Sequence, residues 1–142
     1  MSSDLGRAFT TAYIITRELG ITLEIEREKA LREVNYGDLA NQPYSIYPVL
    51  PPEENAEHVA PNGESLIQMQ QRVLTYIYGS AANNPDQSVL IVAHDGTINA
   101  IRASFLNQNI GIADLTKNDH DFVCRFAVDN REIVSFEEVL AK

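Results

Sequence analysis

His94 follows a run of five apolar residues, 89–93, that has the length of a strand and no polar alternation. Such a run is typical of a strand buried on both faces of a sheet. Asp95-Gly96 is a turn signal, and residues 97–106 have apolar side chains at helical spacing. We therefore expect a titratable imidazole where a strand ends and a helix begins, a place that favours anionic ligands in open α/β sheets. The alternative is a turn histidine with a local hydrogen bond.

Arg7 stands in the first turn of a predicted helix. Ser3 or Asp4 can cap the start of this helix, and Gly20 is a plausible C-terminal stop. A cation is unfavourable near a helix start, and it is expected there if an anion normally lies between the two. The alternative is a solvated surface arginine. The apolar stripe of the helix consists of Leu5, Ala8, Ala12, Ile15 and Leu19.

Glu33 lies beside an apolar pair, Leu31 and Val34, and just before a bend predicted at Tyr36-Gly37. A carboxyl near apolar side chains has its ionised form disfavoured, which is how a general acid is kept protonated near neutral pH. As a lone carboxylate, Glu33 would instead be a surface group. The residues alone leave both interpretations open.

Other elements must position these side chains. Residues 21–25 alternate between apolar and polar and predict a short strand, with an exposed connection at 26–29. Residues 42–62 hold five of the six prolines, which excludes helix through most of the stretch. The apolar content of this stretch predicts an ordered, lid-like excursion over a site. Residues 63–65 lead into the next helix, which runs to about Tyr78 and has Leu66, Met69, Val73 and Ile77 as its core-facing residues.

The C-terminal part is predicted to contain a polar loop at 107–121 and a hairpin. The hairpin strands are residues 122–128 and 132–136, and a short tail follows at 137–142. Cys124 is expected to be a packed strand thiol. His58 and His120 lie among charged residues and are expected to be solvated, and the alternative for His120 is a position at the rim of a site.

The 142 residues fit one domain with one core. A net charge of −9 argues against binding to nucleic acid or to an anionic membrane, although a small anionic ligand needs only one or two arginines in a pocket. The single cysteine suits a reducing compartment. No stretch is long and apolar enough to span a bilayer and the start does not resemble a signal peptide, so we expect a cytoplasmic protein.

Four segments, taken in order, resemble the histidine phosphatase superfamily, which is also called phosphoglycerate mutase-like. The resemblance implies an α/β fold, a three-layer sandwich with a mostly parallel sheet. The segments are residues 2–8 with Thr11-Ala12, residues 31–33 with Tyr36-Gly37, residues 61–66 with Arg72-Val73, and residues 92–96.

The resemblance also implies roles for individual residues. Arg7 matches the arginine that clamps the transferred phosphoryl group, Glu33 the proton donor to the leaving alkoxide, and His94 the second histidine, which hydrogen-bonds the phosphoryl oxygens. These residue types suit phosphoryl transfer. The phosphoryl group spreads negative charge over three oxygens, and the alkoxide is a poor leaving group that needs a proton. No metal or cofactor is implied, and the expected ligand is a small phosphorylated substrate or inorganic phosphate. The substrate-binding residues expected beside them are Ser3, Tyr36, Asp95 and Gly96.

The sequence departs from the family in one important respect. The family's nucleophile is a different histidine, in an Arg-His-Gly motif at the end of an N-terminal strand. This chain contains no Arg-His-Gly, because its histidines follow Glu57, Ala93 and Asp119. We therefore expect residues 1–142 to form a single, incomplete domain with its N-terminal strands missing, and the apolar edge of the strand at 89–93 to be unpaired.

Two functions are consistent with these features. The first is hydrolysis of a phosphomonoester through a phosphohistidine in the parent enzyme, with negligible turnover by this chain alone. The second is a non-catalytic module that binds a phosphate ester, or that completes its sheet with a partner, for example as a homodimer through the exposed edge. A purely structural domain would leave Arg7 and Glu33 without a shared explanation.

Overall fold

The structure is a computed structural model that describes residues 1–114 and 122–139. Its helices and strands, in chain order, are β1 (Ser2–Ser3), α1 (Gly6–Glu18), β2 (Arg27–Glu28), α2 (Pro52–Glu57), α3 (Leu66–Asn83), α4 (Asp95–Phe105), α5 (Ile110–Ala113), β3 (Val123–Asp129) and β4 (Glu132–Val139). Short 3-10 turns lie at Lys29–Leu31, Gly37–Leu39 and Tyr44–Ile46. The predicted α/β class is therefore confirmed.

The parallel part of the sheet is short and is centred on β1. β1 pairs with β2 on one side and, through Ser2, with Val92 on the other. The ladder to Val92 contains bonds from the Ser3 amide to the Val92 carbonyl at 2.9 Å and from the Met1 amine to the Leu90 carbonyl at 2.9 Å. These bonds bring the start of the chain next to the segment that ends at His94.

The strand predicted at 89–93 is reduced to one bridge, and its predicted burial on both faces is wrong for its first residues. Val89 is 42% exposed and Leu90 is 50% exposed. Ile91 and Ala93 form no backbone hydrogen bond with another residue of the described ranges. The reason is that β1 pairs with this segment along one edge, and the opposite edge has no described strand beside it.

The strand predicted at 21–25 is also wrong. These residues form an irregular connection in which Leu23 is 79% exposed, and the strand that pairs with β1 is β2, in the segment predicted to be a connection. Alternation alone does not make a strand here, because Ile21 and Leu23 stay exposed in the described structure. The position of the strand is set by which residues pair with β1, and these are the residues of β2.

Helix α1 has no side-chain cap, so the predicted capping by Ser3 or Asp4 is wrong. Leu5 is its N-cap residue, and the two polar side chains bond elsewhere, Ser3 to His94 and Asp4 to Arg32. The left-handed Gly20 follows the end of the helix, as predicted, with φ +67°. Of the predicted stripe, Ala8 and Ala12 are buried and Leu19 is exposed.

Helix α3 is the centre of the core. Ser65 caps it in a reciprocal capping box with Gln68, and the helix runs to Asn83, beyond the predicted end at Tyr78. Its four predicted core residues are buried, which confirms the predicted face. They pack against residues of α2, α4, α5 and β4, namely Ala56, Ala100, Ile101, Ala103, Ile110, Ala113 and Ile133.

The excursion at 42–62 contains the short helix α2, although its prolines were expected to exclude helix through most of its length. Pro52 is the first residue of α2, a position where a missing N–H costs no hydrogen bond. The ends of the excursion are joined, because the Asp38 amide donates to the Pro61 carbonyl at 2.9 Å. Gly37, with φ +53°, meets the backbone of Pro61 so closely that a Cβ would overlap it.

The predicted hairpin is confirmed as antiparallel β3 and β4, joined at Asn130 and Arg131, which both have positive φ. β4 extends to Val139, so the first residues of the predicted tail belong to the strand. His58 is exposed as predicted, and the predicted position of His120 lies outside the described residues. Burial raises the pKa of the Cys124 thiol, in keeping with a packed strand residue.

Candidate active site

His94 is the N-cap residue of α4 and is 7% exposed. Its Nε2 lies 2.8 Å from the Oγ of Ser3, which is fully buried at the end of β1. The Ser3 hydroxyl also accepts a bond from the Leu5 amide at 3.3 Å. The parallel ladder between β1 and Val92 therefore holds two predicted site residues, Ser3 and His94, in direct contact.

The surroundings of His94 keep its imidazole neutral at neutral pH. Burial is the main cause, and the positive charges of Arg7 and Arg72 add to it, so that the pKa of His94 falls to about 4. The negative charge of Asp4 opposes this shift. An uncharged imidazole near two guanidinium groups can donate a hydrogen bond to an anion.

Glu33 reaches the start of the same helix. Its Oε2 accepts a hydrogen bond from the Gly96 amide at 3.2 Å, and its Oε1 accepts one from the Val34 amide at 2.9 Å. A Cβ on Gly96 would overlap the Glu33 Oε1, so a glycine is needed for this close approach. Glu33 and His94 are thus brought together at the first turn of α4, although 60 residues separate them in the sequence.

Arg7 lies in the first turn of α1, is exposed, and forms no ion pair with another residue of the described ranges. It is near enough to His94 for its charge to lower the pKa of that imidazole. The short connection from β1 into α1 places Arg7 four residues after Ser3, whose hydroxyl contacts His94. A guanidinium that has no ion-pair partner among the described residues is therefore available near the imidazole.

The remaining predicted residues occupy different positions around this centre. Gly96 is buried against Glu33, whereas Asp95 is exposed as the first residue of α4. Tyr36 is 40% exposed, and its ring packs edge-on against Tyr47 of the excursion with centroids 5.3 Å apart. Tyr36 therefore connects the bend after Glu33 with the excursion.

Asp114 is a site neighbour that the sequence did not reveal. It follows α5, within the predicted polar loop, and burial raises the pKa of its carboxyl. The negative charges of Glu33 and Asp95 raise this pKa further, while a hydrogen bond with Asn55 opposes the shift. No local pattern marks this residue, because its proximity to Glu33 arises only when α5 packs against α4.

A second missed contact joins the segment of Glu33 to the segment of Arg7. Arg32 donates from Nε and Nη2 to the two carboxylate oxygens of Asp4, both at 2.6 Å. This bidentate pair lies between the two segments and restrains them relative to each other.

Within residues 1–114 and 122–139, no cluster of three or more His, Cys, Asp or Glu side chains is arranged to hold a metal ion. None of the helices in these ranges combines the length and apolarity needed to cross a bilayer.

Comparison with known proteins places this geometry in a family. Residues 1–136 match the model of the histidine phosphatase superfamily (branch 1). The chain is 33% identical over 109 residues to the 2,3-bisphosphoglycerate-dependent phosphoglycerate mutase of Cytophaga hutchinsonii, covering 70% of this chain and 51% of that protein. It is 30% identical over 108 residues to phosphoglycerate mutase-like protein 4 of Arabidopsis thaliana, and the match covers 70% of this chain and 46% of that protein. The chain thus spans about half the length of the curated relatives it matches.

Solved structures share the fold. Bacillus stearothermophilus YhfR superposes with a TM-score of 0.76 at 25% identity, covering 93% of this chain and 68% of YhfR. A mycobacterial glucosyl-3-phosphoglycerate phosphatase in complex with inorganic phosphate superposes with a TM-score of 0.74 at 22% identity, covering 98% and 73%. The predicted phosphoglycerate mutase-like fold is therefore confirmed.

Proposed function

Because the chain belongs to the histidine phosphatase superfamily (branch 1), we propose that Arg7, Glu33 and His94 form the phosphoryl-binding part of a phosphomonoester hydrolase site. The parent reaction is hydrolysis of a small phosphomonoester through a phosphohistidine. The observation that carries the proposal is the hydrogen bond from the Gly96 amide to the Glu33 carboxyl in the first turn of α4, the helix whose N-cap residue is His94.

Each of the three residues has a distinct role in this proposal. The guanidinium of Arg7 binds the phosphoryl oxygens, and the imidazole of His94 donates a hydrogen bond to them, so that both stabilise charge developing on these oxygens. Glu33 gives a proton to the leaving alkoxide as its bond to phosphorus breaks. Ser3 fixes the ring of His94 through the 2.8 Å contact. Gly96 leaves room for the Glu33 carboxyl.

The Asp95 and Tyr36 side chains are proposed to contact the part of the substrate beyond phosphate. Both are exposed, Asp95 at the start of α4 and Tyr36 beside the excursion. The excursion at 42–62 is proposed to cover the substrate as a lid, since it is attached through Gly37 to the segment that carries Glu33. The proposed ligand is a small phosphorylated molecule or inorganic phosphate, and a cytoplasmic location stays a prediction.

The 142-residue chain by itself is proposed to have negligible turnover, since its sequence contains no Arg-His-Gly motif to supply the family's nucleophile. The test is an assay of the purified chain with an aryl phosphate, alongside the His94→Ala variant. We expect both to release no more phenol than a protein-free control. Turnover by the wild-type chain that is abolished in His94→Ala would make His94 the nucleophile and contradict the assigned roles.

A second function, a module that binds a partner, is favoured by one observation. Val89 and Leu90 are exposed, and the backbone groups of Ile91 and Ala93 are unpaired within the described ranges. An open, apolar strand edge is a template for pairing with another strand. A homodimer through this edge would complete the sheet, and it is compatible with phosphate binding at the site above.

A further inference from the structure

Arg72, on α3, donates hydrogen bonds from all five of its guanidinium N–H groups. Three go to backbone carbonyls within residues 30–33, and two go to Glu64. Nε and Nη2 donate to the two Glu64 carboxylate oxygens at 3.0 and 2.6 Å. Nη1 donates to the carbonyls of Ala30 and Arg32 at 2.8 and 2.9 Å, and Nη2 donates to the carbonyl of Glu33 at 3.0 Å. A guanidinium carries five donors in one rigid plane, so these bonds fix three carbonyls relative to α3.

Glu64 holds the far end of the same segment. Its Oε1 also accepts the Asn35 amide at 2.9 Å, and its own amide donates to the Asn35 carbonyl at 2.9 Å. Burial alone would raise the pKa of the Glu64 carboxyl, but the hydrogen bonds from Arg72 and Asn35 outweigh it and lower that pKa. The carboxylate is therefore ionised at neutral pH, as the Arg72 pair requires.

Residues 30–35, which are held in this way, have little regular structure. The first two belong to the 3-10 turn Lys29–Leu31, and residues 32–36 form neither helix nor strand. Irregular backbone of this kind needs partners for its polar groups, and Arg72 and Glu64 provide them. The Glu33 side chain projects from the middle of the segment to the Gly96 amide.

We propose that Arg72, held by Glu64, is a positioning residue that fixes the backbone of residues 30–35 so that the Glu33 carboxyl reaches the start of α4. The catalytic meaning of this placement rests on the proposed function, whereas the placement itself does not. Lysine cannot replace Arg72, because an ammonium lacks the planar fork that binds three carbonyls and a carboxylate together.

The test follows the Gly96 amide in the 142-residue chain by 15N–1H NMR between about pH 3 and pH 7, where carboxyls titrate. In the wild type, the Gly96 shift should follow the Glu33 carboxyl. Glu33→Gln should remove this transition, which separates it from any change caused by Asp95 or by His94, whose pKa lies in the same pH range. We expect Arg72→Lys to reduce the amplitude of the transition by about half or more and to speed Gly96 amide exchange about tenfold, the scale of one lost hydrogen bond to a charged group.

Glu64→Gln and Arg102→Lys complete the set of variants. Glu64→Gln leaves the three bonds from Arg72 to carbonyls and should have a smaller effect in the same direction. Arg102→Lys is the matched control, because Arg102 is a buried arginine on α4 that bonds to Asn99 and Glu138. It should lower stability while the Gly96 transition keeps its amplitude.

An Arg72→Lys chain with the wild-type transition and exchange rate at Gly96 would overturn the proposal. If Arg72→Lys does not fold, Glu64→Gln decides the question. A Gly96 transition and a Gly96 exchange rate equal to those of the wild type in that variant would overturn the proposal equally. Inorganic phosphate is titrated into the same wild-type sample. Absence of phosphate binding would count against the proposed function, but it would leave the dependence of Gly96 on Arg72 intact.

Discussion

The Ser3 hydroxyl lies 2.8 Å from the Nε2 of His94, and both residues are buried. This contact joins the first strand of the chain to the start of α4, 91 residues later. It also explains why α1 has no serine cap, since the side chain that could cap it faces the imidazole instead. The start of α1, with Arg7, is thereby held beside the start of α4, with His94 and Gly96.

The folded chain should lose stability as the pH falls through the range in which a free histidine takes up a proton. Burial, with the charges of Arg7 and Arg72, lowers the pKa of His94 from 6.5 to about 4. The unfolded chain therefore binds this proton at a higher pH than the folded chain does, and the free energy of unfolding should decrease from about pH 6.5 down to about pH 4.

Urea denaturation at a series of pH values measures this decrease. His94→Gln removes the titrating group and should flatten the curve over that interval. Equal slopes for the wild type and the variant would contradict a depressed pKa at His94.

Gly96→Ala should destabilise the chain by about 1–3 kcal/mol, the usual cost of forcing extra atoms into a packed place. The added Cβ would overlap the Glu33 Oε1, so the carboxyl must move away from α4. Gly79→Ala is the matched control in a helix, because a Cβ at Gly79 has no neighbour within 4 Å. That variant should be more stable than the wild type by about 0.5–1 kcal/mol. Thermal unfolding compares the three proteins, and equal effects of both alanines would show that Glu33 is not close to Gly96.

These examples show how much of the site could be predicted from the sequence. Arg7, Glu33 and His94 are predicted site residues because their motifs resemble a family, and Gly96 belongs to the same motif as His94. The contacts that hold them could not be predicted, because they join distant segments: Ser3 with His94, and Arg72 with the carbonyl of Glu33. A serine before a helix is an ordinary cap in sequence terms, and only the pairing of β1 with Val92 directs Ser3 elsewhere.

The fold was predictable where an element carries its own signal. The apolar face of α3 identifies that helix, and the two strands and the turn identify the hairpin. Residues 21–25 failed because alternation does not specify a partner strand, and α2 was missed because Pro52 is compatible with a first helical position. The segment at 89–93 has the composition of a central strand, and β1 covers one of its edges.

Arg7→Ala should weaken the binding of inorganic phosphate about 10- to 100-fold, as expected for the loss of hydrogen bonds from a charged donor. Arg17→Ala is the control, because Arg17 is an exposed arginine on the same helix and its ion pair is with Glu18. Both variants change the net charge equally, so a general effect of charge would appear in both. Isothermal titration calorimetry gives the affinities, and equal affinities for Arg7→Ala and the wild type would remove Arg7 from the site.

The open edge at 89–93 should make the chain associate as its concentration rises. Val89→Lys places a charge on this edge and should shift the equilibrium toward monomer. Val49→Lys is the control, because Val49 is fully exposed on the excursion. Sedimentation velocity over a range of concentrations measures the association. A wild-type chain that stays monomeric throughout, with a well-ordered core, would count against pairing through this edge.

A titration of the uniformly 15N-labelled chain with inorganic phosphate, followed by NMR, tests whether Arg7, Glu33 and His94 act together. If Arg7, Glu33 and His94 form one phosphoryl-binding site, saturable shift changes should concentrate at Ser3, Arg7, His94 and Gly96, all with the same dissociation constant. The imidazole of His94 should also titrate at a higher pH when phosphate is bound, because the anion offsets the nearby positive charges. Shift changes that do not saturate, or that fall on residues far from the start of α4, would show that Arg7, Glu33 and His94 do not form one phosphoryl-binding site.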